Sequence, residues 1–180
     1  MKKILFAAAA VLAVSLVLVS CSREADEGFV VAESPSCDFS FEYPAEWEST
    51  YTDGMLAVMN PQDVSGANVT AQSFYHGHEE EVSSEAYWEE YKAQFEGTFS
   101  TMNVTKNIET TLSGVIARHV FYTVDLGQDS FNCQTVLCVF SDKAYVLTLT
   151  QGIKTDENAE YYNDHSEEFE EVIQSFRIGS

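Results

Sequence analysis

The chain has 180 residues, of which 29 are acidic and 9 are basic, so its formal net charge at pH 7 is −20. A surface of that charge repels nucleic-acid phosphates over a Debye length of about 8 Å at physiological salt, and we therefore exclude nucleic-acid binding. Hydrophobic residues make up 45% of the chain, and its length suffices for one domain with a sizeable core.

The first 21 residues have the charge order and length of a bacterial export signal. Lys2 and Lys3 precede an almost continuous apolar run over residues 4–19, shorter than the roughly 20 apolar residues that a membrane-spanning helix needs. The run ends in Leu18-Val19-Ser20-Cys21, which resembles the lipobox of bacterial lipoprotein signals. The resemblance implies cleavage before Cys21, diacylglycerol on its thiol, and membrane anchoring on the extracytoplasmic face, either at the outer surface or in the periplasm.

These features divide the chain into three parts. We expect a signal peptide at residues 1–20, a lipidated N-terminus and tether at 21–36, and a single domain at 37–180. The tether assignment rests on the scarcity of aromatic residues and the abundance of charged ones between positions 22 and 36. The alternatives are an ordinary secretory signal with an incidental cysteine, or a signal anchor.

Hydrophobic periodicity predicts an α+β domain. Alternation predicts three strands before the first helix, at residues 39–44, 55–59 and 69–75. A helix is expected at 84–99, with Ser84 as its N-cap and with a core-facing stripe of Trp88, Tyr91, Phe95 and Phe99. Four strands follow at 103–111, 115–126, 131–140 and 144–151, and the last three form an antiparallel meander. A final helical region is expected at 156–176, where Asp164 with Glu167 could cap a restart and divide the region into two pieces. The order βββα-ββββ-α predicts a curved antiparallel sheet of about seven strands covered by two helices.

The two ends of this domain carry a family resemblance. Phe39-Ser40-Phe41-Glu42-Tyr43-Pro44 followed by Trp47 resembles the entry motif of PsbP-like domains, and the aliphatic and aromatic spacing of residues 169–176 resembles their closing helix and final short strand. The resemblance covers residues 38–178 and implies an α-β-α sandwich. It implies no particular activity, because that fold hosts photosystem II extrinsic subunits, a Ran-binding transport protein and bacterial envelope lipoproteins of unassigned role.

Three cysteines remain besides the predicted lipidation site. Cys133 and Cys138 are five residues apart on one predicted strand, so their side chains face opposite sides and cannot bond each other. Cys138 lies in an apolar run and is expected in the core. Cys133, which polar residues flank, is the better partner for a disulfide with Cys37, in a compartment that permits disulfides without requiring them.

His76 and His78 are the sharpest candidates for a chemical site. Two imidazoles at i and i+2 on an extended segment project to one side, and the carboxylates that follow at 79–81 offer oxygen ligands. The pattern points to a divalent metal such as zinc, and the competing interpretation is a polar strand end leading into the helix.

The remaining two histidines, His119 and His165, are weaker candidates for a chemical site. His119 is expected as a satisfied, partly buried strand residue, although it could form a nucleophilic dyad with Cys133 if the strand register allowed it. His165 is expected on a solvated helix face. The sequence lacks a Gly-x-Ser-x-Gly elbow, a Ser-x-x-Lys motif, a phosphate loop and a Cys-x-x-Cys pair.

Taken together, these patterns predict a membrane-anchored envelope lipoprotein that is not an enzyme and binds no cofactor. Its expected role is that of a binding or assembly module for an envelope protein or a small ligand, held to the lipid membrane through Cys21. The alternative is a divalent-metal-binding domain or metal-dependent enzyme that uses His76 and His78.

Overall fold

A computed structural model describes residues 25–52, 54–95, 98–99, 101–160 and 162–179. The predicted signal peptide and Cys21 lie outside these residues. In the described part of the chain, no helix combines the length and the apolar character needed to cross a membrane. The elements follow the order β1 (Phe29–Glu33), β2 (Phe39–Pro44), β3 (Glu48–Thr52), β4 (Met55–Met59), β5 (Asn68–Tyr75), α1 (Ser84–Phe95), β6 (Thr101–Leu112), β7 (Val115–Leu126), β8 (Asp129–Phe140), β9 (Lys143–Gly152), α2 (Ser166–Ser175) and β10 (Arg177–Ile178).

Seven of the strands form one antiparallel sheet. Their spatial order is β3-β4-β5-β9-β8-β7-β6, and every neighbouring pair is antiparallel. The tight turn between β6 and β7 uses Ser113 and Gly114 at φ of 52° and 80°, the positive values that a two-residue hairpin requires. The predicted α+β class, the sheet of about seven strands and the meander of β7, β8 and β9 are therefore confirmed.

A second, three-stranded sheet has β2 at its centre, between β1 and β10. The strand β1 corrects the predicted tether. Residues Phe29–Glu33 lie in the segment that was assigned to a flexible connection, but they pair along β2 from Pro44 to Ser40. The backbone of this short segment gains a full ladder of hydrogen bonds, and Ala32 is buried in the core. The folded domain thus begins before residue 37.

Two hydrophobic cores lie on opposite faces of the seven-stranded sheet. The α1-side core packs Trp88 and Tyr91 of the helix against Val120 and Leu137 of the sheet. The α2-side core joins the helix α2 and the strand β2 to the other face, where Phe39 stacks on Phe176 with ring centroids 5.4 Å apart. The layers are therefore α1, sheet, and α2 with the small sheet, as the PsbP-like resemblance implies.

Both helices differ from the prediction at their N-termini. In α1 the cap is Ser83, whose Oγ accepts a hydrogen bond from the backbone N–H of Ala86 at 3.1 Å, and not the predicted Ser84. The helix α2 begins at Ser166, ten residues after the start of the predicted region, with His165 at its N-cap and no side-chain cap hydrogen bond. Just before it, Asp164 Oδ1 accepts hydrogen bonds from the N–H and the hydroxyl of Ser166, close to the restart at Asp164 that the sequence allowed.

Candidate functional site: a cleft at the end of strands β7 and β8

A cleft opens where two neighbouring strands of the large sheet separate. The β7–β8 ladder ends at the pair Ala117–Cys138, although both strands continue beyond it. The hydroxyl of Ser84 lies between the separated strands, where it donates to the carbonyl of Ile116 at 2.8 Å and accepts from the N–H of Val139 at 3.2 Å. Ser84 therefore joins the N-terminus of α1 to both strands and closes the inner end of the cleft.

The segment 76–83, between β5 and α1, forms a wall of the cleft, and its two histidines hold it in place. The backbone N–H of His76 donates to the carbonyl of Asp142 at 3.1 Å, and its Nε2 lies 3.0 Å from the carbonyl of Ser141. Its Nδ1 accepts from the N–H of His78 at 3.1 Å. This turn needs a φ of +76° at Gly77, which a residue without Cβ adopts at little cost. His78 Nε2 lies 2.9 Å from Glu90 of α1, so the wall is bound to the helix as well.

The cleft has a volume of about 730 Å³ and combines apolar and acidic linings. Its apolar part includes Val82, Val115 and Val139 together with two exposed side chains, Ile116 at 63% and Phe140 at 50%. This volume falls within the range typical of ligand sites and exceeds what one side chain fills. Large exposed apolar side chains that line one concave surface indicate a binding site, whereas single exposed ones scattered over a surface do not.

The acidic lining comes from two short segments. Glu79, Glu80 and Glu81 lie on the histidine-held wall, and Asp142 lies in the turn between β8 and β9. All four residues are exposed, and no lysine or arginine is among the described residues that line the cleft. The nearby Lys143 forms an ion pair with Asp38, to which its Nζ donates a hydrogen bond at 2.7 Å. The cleft therefore concentrates uncompensated negative charge beside apolar surface.

The predicted metal ligands His76 and His78 come together but are engaged with the protein. Their ring centroids are 5.4 Å apart. Because a carbonyl only accepts, Nε2 of His76 is the donor to Ser141, and its Nδ1 lone pair receives the N–H of His78. Among the described residues, no group of three histidine, cysteine, aspartate or glutamate side chains is arranged to hold a metal ion. The metal site stays a prediction, and binding there would require His76 to give up a hydrogen bond.

The cysteines do not form the predicted disulfide. Cys37, Cys133 and Cys138 are all free thiols in the described structure. Cys37 packs against the α2-side core and Cys133 belongs to the α1-side core, so the sheet separates the two sulfurs. Cys138 is fully buried in the α2-side core, as predicted. Burial raises the pKa of the Cys133 thiol to about 11 and that of Cys138 to about 12, which keeps both protonated at neutral pH.

The predicted dyad of His119 and Cys133 is excluded by the same geometry. His119 faces α2, where it stacks on Phe121 with centroids 4.3 Å apart and meets Gln134 Oε1 at 3.2 Å. It is 5% exposed, which confirms a satisfied strand histidine. Burial lowers the pKa of His119, although the nearby Glu170 opposes this.

His165 is buried, contrary to the expectation of a solvated helix face. It precedes α2, with its Nε2 3.5 Å from Asp63, its Nδ1 3.3 Å from Glu168, and its ring edge-on to Trp47. The prediction failed because it placed His165 within a longer helix. The structure places it at the N-cap, under the loop that carries Asp63.

Ile116 and Phe140, the two most exposed apolar residues of the cleft, were not among the predicted site residues. Ile116 and Phe140 lie at the ends of strands predicted correctly, but only the separation of β7 from β8 brings them beside residues 79–81. A usable signal was present in the sequence, since Phe140 is followed directly by the polar turn Ser141-Asp142. A large apolar residue next to such a turn is placed at the sheet edge, where its burial is incomplete.

The chain has the α+β fold shared by PsbP-like proteins and Mog1. No protein-family model and no curated protein sequence matches it. Among solved structures it is similar to the cyanobacterial PsbP of Synechocystis sp. PCC 6803, with a TM-score of 0.59 and 12% identity over 89% of this chain and 98% of that one. It is also similar to the Ran-binding protein Mog1p of Saccharomyces cerevisiae, with a TM-score of 0.61 and 10% identity over 84% and 96% of the two chains.

A third similar structure is that of a protein linked to cell envelope biogenesis. LpqN of Mycobacterium tuberculosis, described as involved in cell envelope biogenesis, has a TM-score of 0.54 and 11% identity over 83% of this chain and 92% of its own. A structure from Bacteroides thetaiotaomicron is longer: the match, with a TM-score of 0.56 and 14% identity, covers 83% of this chain but only 48% of that one. Identities this low establish the fold alone.

Proposed function

We propose that this protein is a lipid-anchored module of the bacterial cell envelope that binds a protein partner in the cleft between β7, β8 and the segment 76–83. The observation that carries the proposal is the cleft itself, which the exposed side chains of Ile116 and Phe140 both line. The fold of a Ran-binding protein and of an envelope protein supports a binding role. The lipobox-like sequence ending at Cys21 supports the anchor.

The position of the chain entry supports access to the cleft. The N–H of Asp26 donates to Glu42 at 3.0 Å and the N–H of Ala45 donates to the carbonyl of Gly28 at 2.9 Å, so the N-terminal segment joins the domain near the end of β2. Asp38, just before the other end of β2, contacts Lys143, which follows Asp142 of the cleft directly in the chain. A six-residue strand is about 20 Å long, so the entry and the cleft lie at opposite ends of it.

The anchor and the binding site are tested separately. We expect wild-type protein expressed in bacteria to incorporate labelled palmitate and to fractionate with membranes, and we expect Cys21→Ser to do neither. Wild-type protein without label, or Cys21→Ser with the same fractionation, would reject the anchor.

For the site, a photoreactive amino acid is placed at position 116 in the cleft or at the control position 126. Leu126 is comparably exposed, at 50%, but lies at the opposite end of β7. We expect a discrete adduct in native membranes from position 116 only, which disappears when Phe140→Ser is added. Equal adducts from both positions would reject the cleft as the binding site.

The second proposal is divalent-metal binding by His76 and His78. The observation in its favour is that the two imidazoles lie close together beside the carboxylate of Glu90. Zinc titration of the purified protein, followed by calorimetry and elemental analysis, tests it. Stoichiometric zinc that is lost in His76→Ala would support it, whereas the absence of retained zinc in the wild type would reject it.

A further inference from the structure

The lining of the cleft also specifies the chemistry of its occupant. Resting on the proposed binding function, we infer that the partner inserts a cationic, amphipathic polypeptide segment, in which apolar side chains are flanked by lysine or arginine. The inference starts from the combination of exposed apolar side chains and four carboxylates in one concavity of about 730 Å³.

The apolar requirement follows from Ile116 and Phe140. These side chains are 63% and 50% exposed in the free protein, and covering them removes apolar surface from water. The volume of the cleft admits several side chains of a partner and so favours a segment over a single group.

The cationic requirement follows from the cost of covering carboxylates. A segment that enters the cleft removes water from Glu79, Glu80, Glu81 and Asp142, and none of the described residues that line the cleft is a lysine or arginine that could compensate. A neutral segment leaves those charges desolvated without partners, and an anionic segment adds repulsion. Lysine or arginine on the partner restores the lost interactions and accelerates encounter with a chain of net charge −20.

The backbone of the cleft indicates how the segment is recognised. Strand addition between β7 and β8 would need free main-chain groups at the point where they separate. The hydroxyl of Ser84 already occupies the carbonyl of Ile116 and the N–H of Val139 there. The segment is therefore recognised through its side chains and not as an added strand.

Two hydrogen-bonded histidines keep this acidic wall in position without neutralising it. His76 attaches the wall to the turn at Ser141, and His78 attaches it to Glu90 of α1. Neither contact involves the carboxylates of residues 79–81. His76 and His78, which suggested a metal site in the sequence, thus hold the segment 76–83 in position by hydrogen bonds in the structure.

A labelled peptide tests the inference directly. The probe is a fluorescein-labelled peptide of about ten residues in which lysine and leucine alternate, compared with lysine–serine and glutamate–leucine peptides of the same length. The full chain purified in detergent is titrated by fluorescence anisotropy. We expect only the lysine–leucine peptide to bind, with an affinity that falls as salt is raised.

Matched variants locate the binding. Glu79→Gln/Glu80→Gln/Glu81→Gln and Ile116→Ser should each weaken binding by about tenfold, because they remove the charge and the apolar contact separately. The control Glu46→Gln/Glu48→Gln/Glu160→Gln makes the same change in net charge on exposed residues outside the cleft, and it should bind like the wild type. Urea unfolding confirms that each variant is folded.

Three outcomes would overturn the inference: no binding of the lysine–leucine peptide, equal binding of the lysine–serine peptide, or equal losses in the two triple variants. Its failure remains distinguishable from failure of the proposed function. If position 116 still forms its adduct in native membranes while the lysine–leucine peptide does not bind, the cleft binds a partner of different chemistry and this inference is wrong.

Discussion

The carboxylate of Asp38 fastens the start of β2 to the large sheet, and Asp38→Asn tests how much this contributes to stability. Asp38 accepts hydrogen bonds from Lys143 Nζ at 2.7 Å, Tyr145 Oη at 2.8 Å and Ser73 Oγ at 2.7 Å. Burial opposes its ionisation, but these donors outweigh that effect and lower the pKa of Asp38 from 3.8 to about 2. The lowering corresponds to about 2.4 kcal/mol, which solvent screening of a side chain that is 33% exposed reduces to about 1 kcal/mol.

The direction of the pH dependence follows from the lowered pKa. Because the pKa of Asp38 is lower in the folded state than in the unfolded state, its ionised form stabilises the protein fully above about pH 4. The contribution is lost as the pH falls through about 2. We therefore expect Asp38→Asn to lower the free energy of unfolding by about 1 kcal/mol at neutral pH, and the difference from wild type to shrink towards zero in acid.

Urea unfolding followed by circular dichroism measures this difference at several pH values between about 7 and 2. The control is Asp142→Asn, which removes an exposed carboxylate from a neighbouring position without touching these hydrogen bonds. A loss of stability in Asp38→Asn that stays constant from neutral pH to about pH 2, or that equals the effect of Asp142→Asn, would refute the reasoning.

Three further predictions concern hydroxyl, thiol and imidazole groups elsewhere in the domain. Ser84→Ala removes the hydroxyl that bridges two main-chain groups, and we expect it to lower the free energy of unfolding, measured in urea, by about 1–2 kcal/mol. Ser83→Ala removes the N-cap of α1 and should lower the same free energy by about 1 kcal/mol. We expect iodoacetamide to alkylate the half-exposed Cys37 in the native protein and to leave Cys133 unmodified, as measured by mass spectrometry. The reason is that burial raises the pKa of the Cys133 thiol to about 11. Fast labelling of Cys133 would contradict its buried position. His119→Gln should reduce the loss of stability as the pH falls below about 6.5, since burial lowers the pKa of His119 and protonation therefore favours the unfolded state; parallel stability curves for variant and wild type would contradict this.

The elements that the sequence predicted well are those with one face in a core. The strands β4 and β7 have the predicted bounds, because apolar residues of both strands are buried in the cores: those of β4 in the α2-side core and those of β7 in both. The strand β3 was missed because every one of its residues is exposed. It is an edge strand that pairs only with β4, so its sequence shows no alternation of buried apolar and exposed polar residues.

The candidate site was predicted only in part, for a different reason. Sequence reasoning selected His76 and His78, which do border the cleft, but it assigned them a chemical role that depends on free imidazole lone pairs. Whether a ring nitrogen is free depends on the neighbouring turn at Ser141, which lies 65 residues away in the chain from His76. The pairing of distant strands sets such contacts, and local pattern does not report them.

The acidic wall and the lipid anchor that we propose at Cys21 have a common consequence for how the domain meets its surroundings. Glu79, Glu80 and Glu81 repel one another, and their cluster persists because main-chain and histidine hydrogen bonds fix the segment that carries them. A cationic segment in the cleft relieves that repulsion and so stabilises the folded domain by mass action. Anionic headgroups repel the same wall, and the described chain joins the domain near the far end of β2, where Asp26 contacts Glu42. If Cys21 is lipidated as we propose, charge and attachment both favour a cleft that faces away from the membrane and towards a partner.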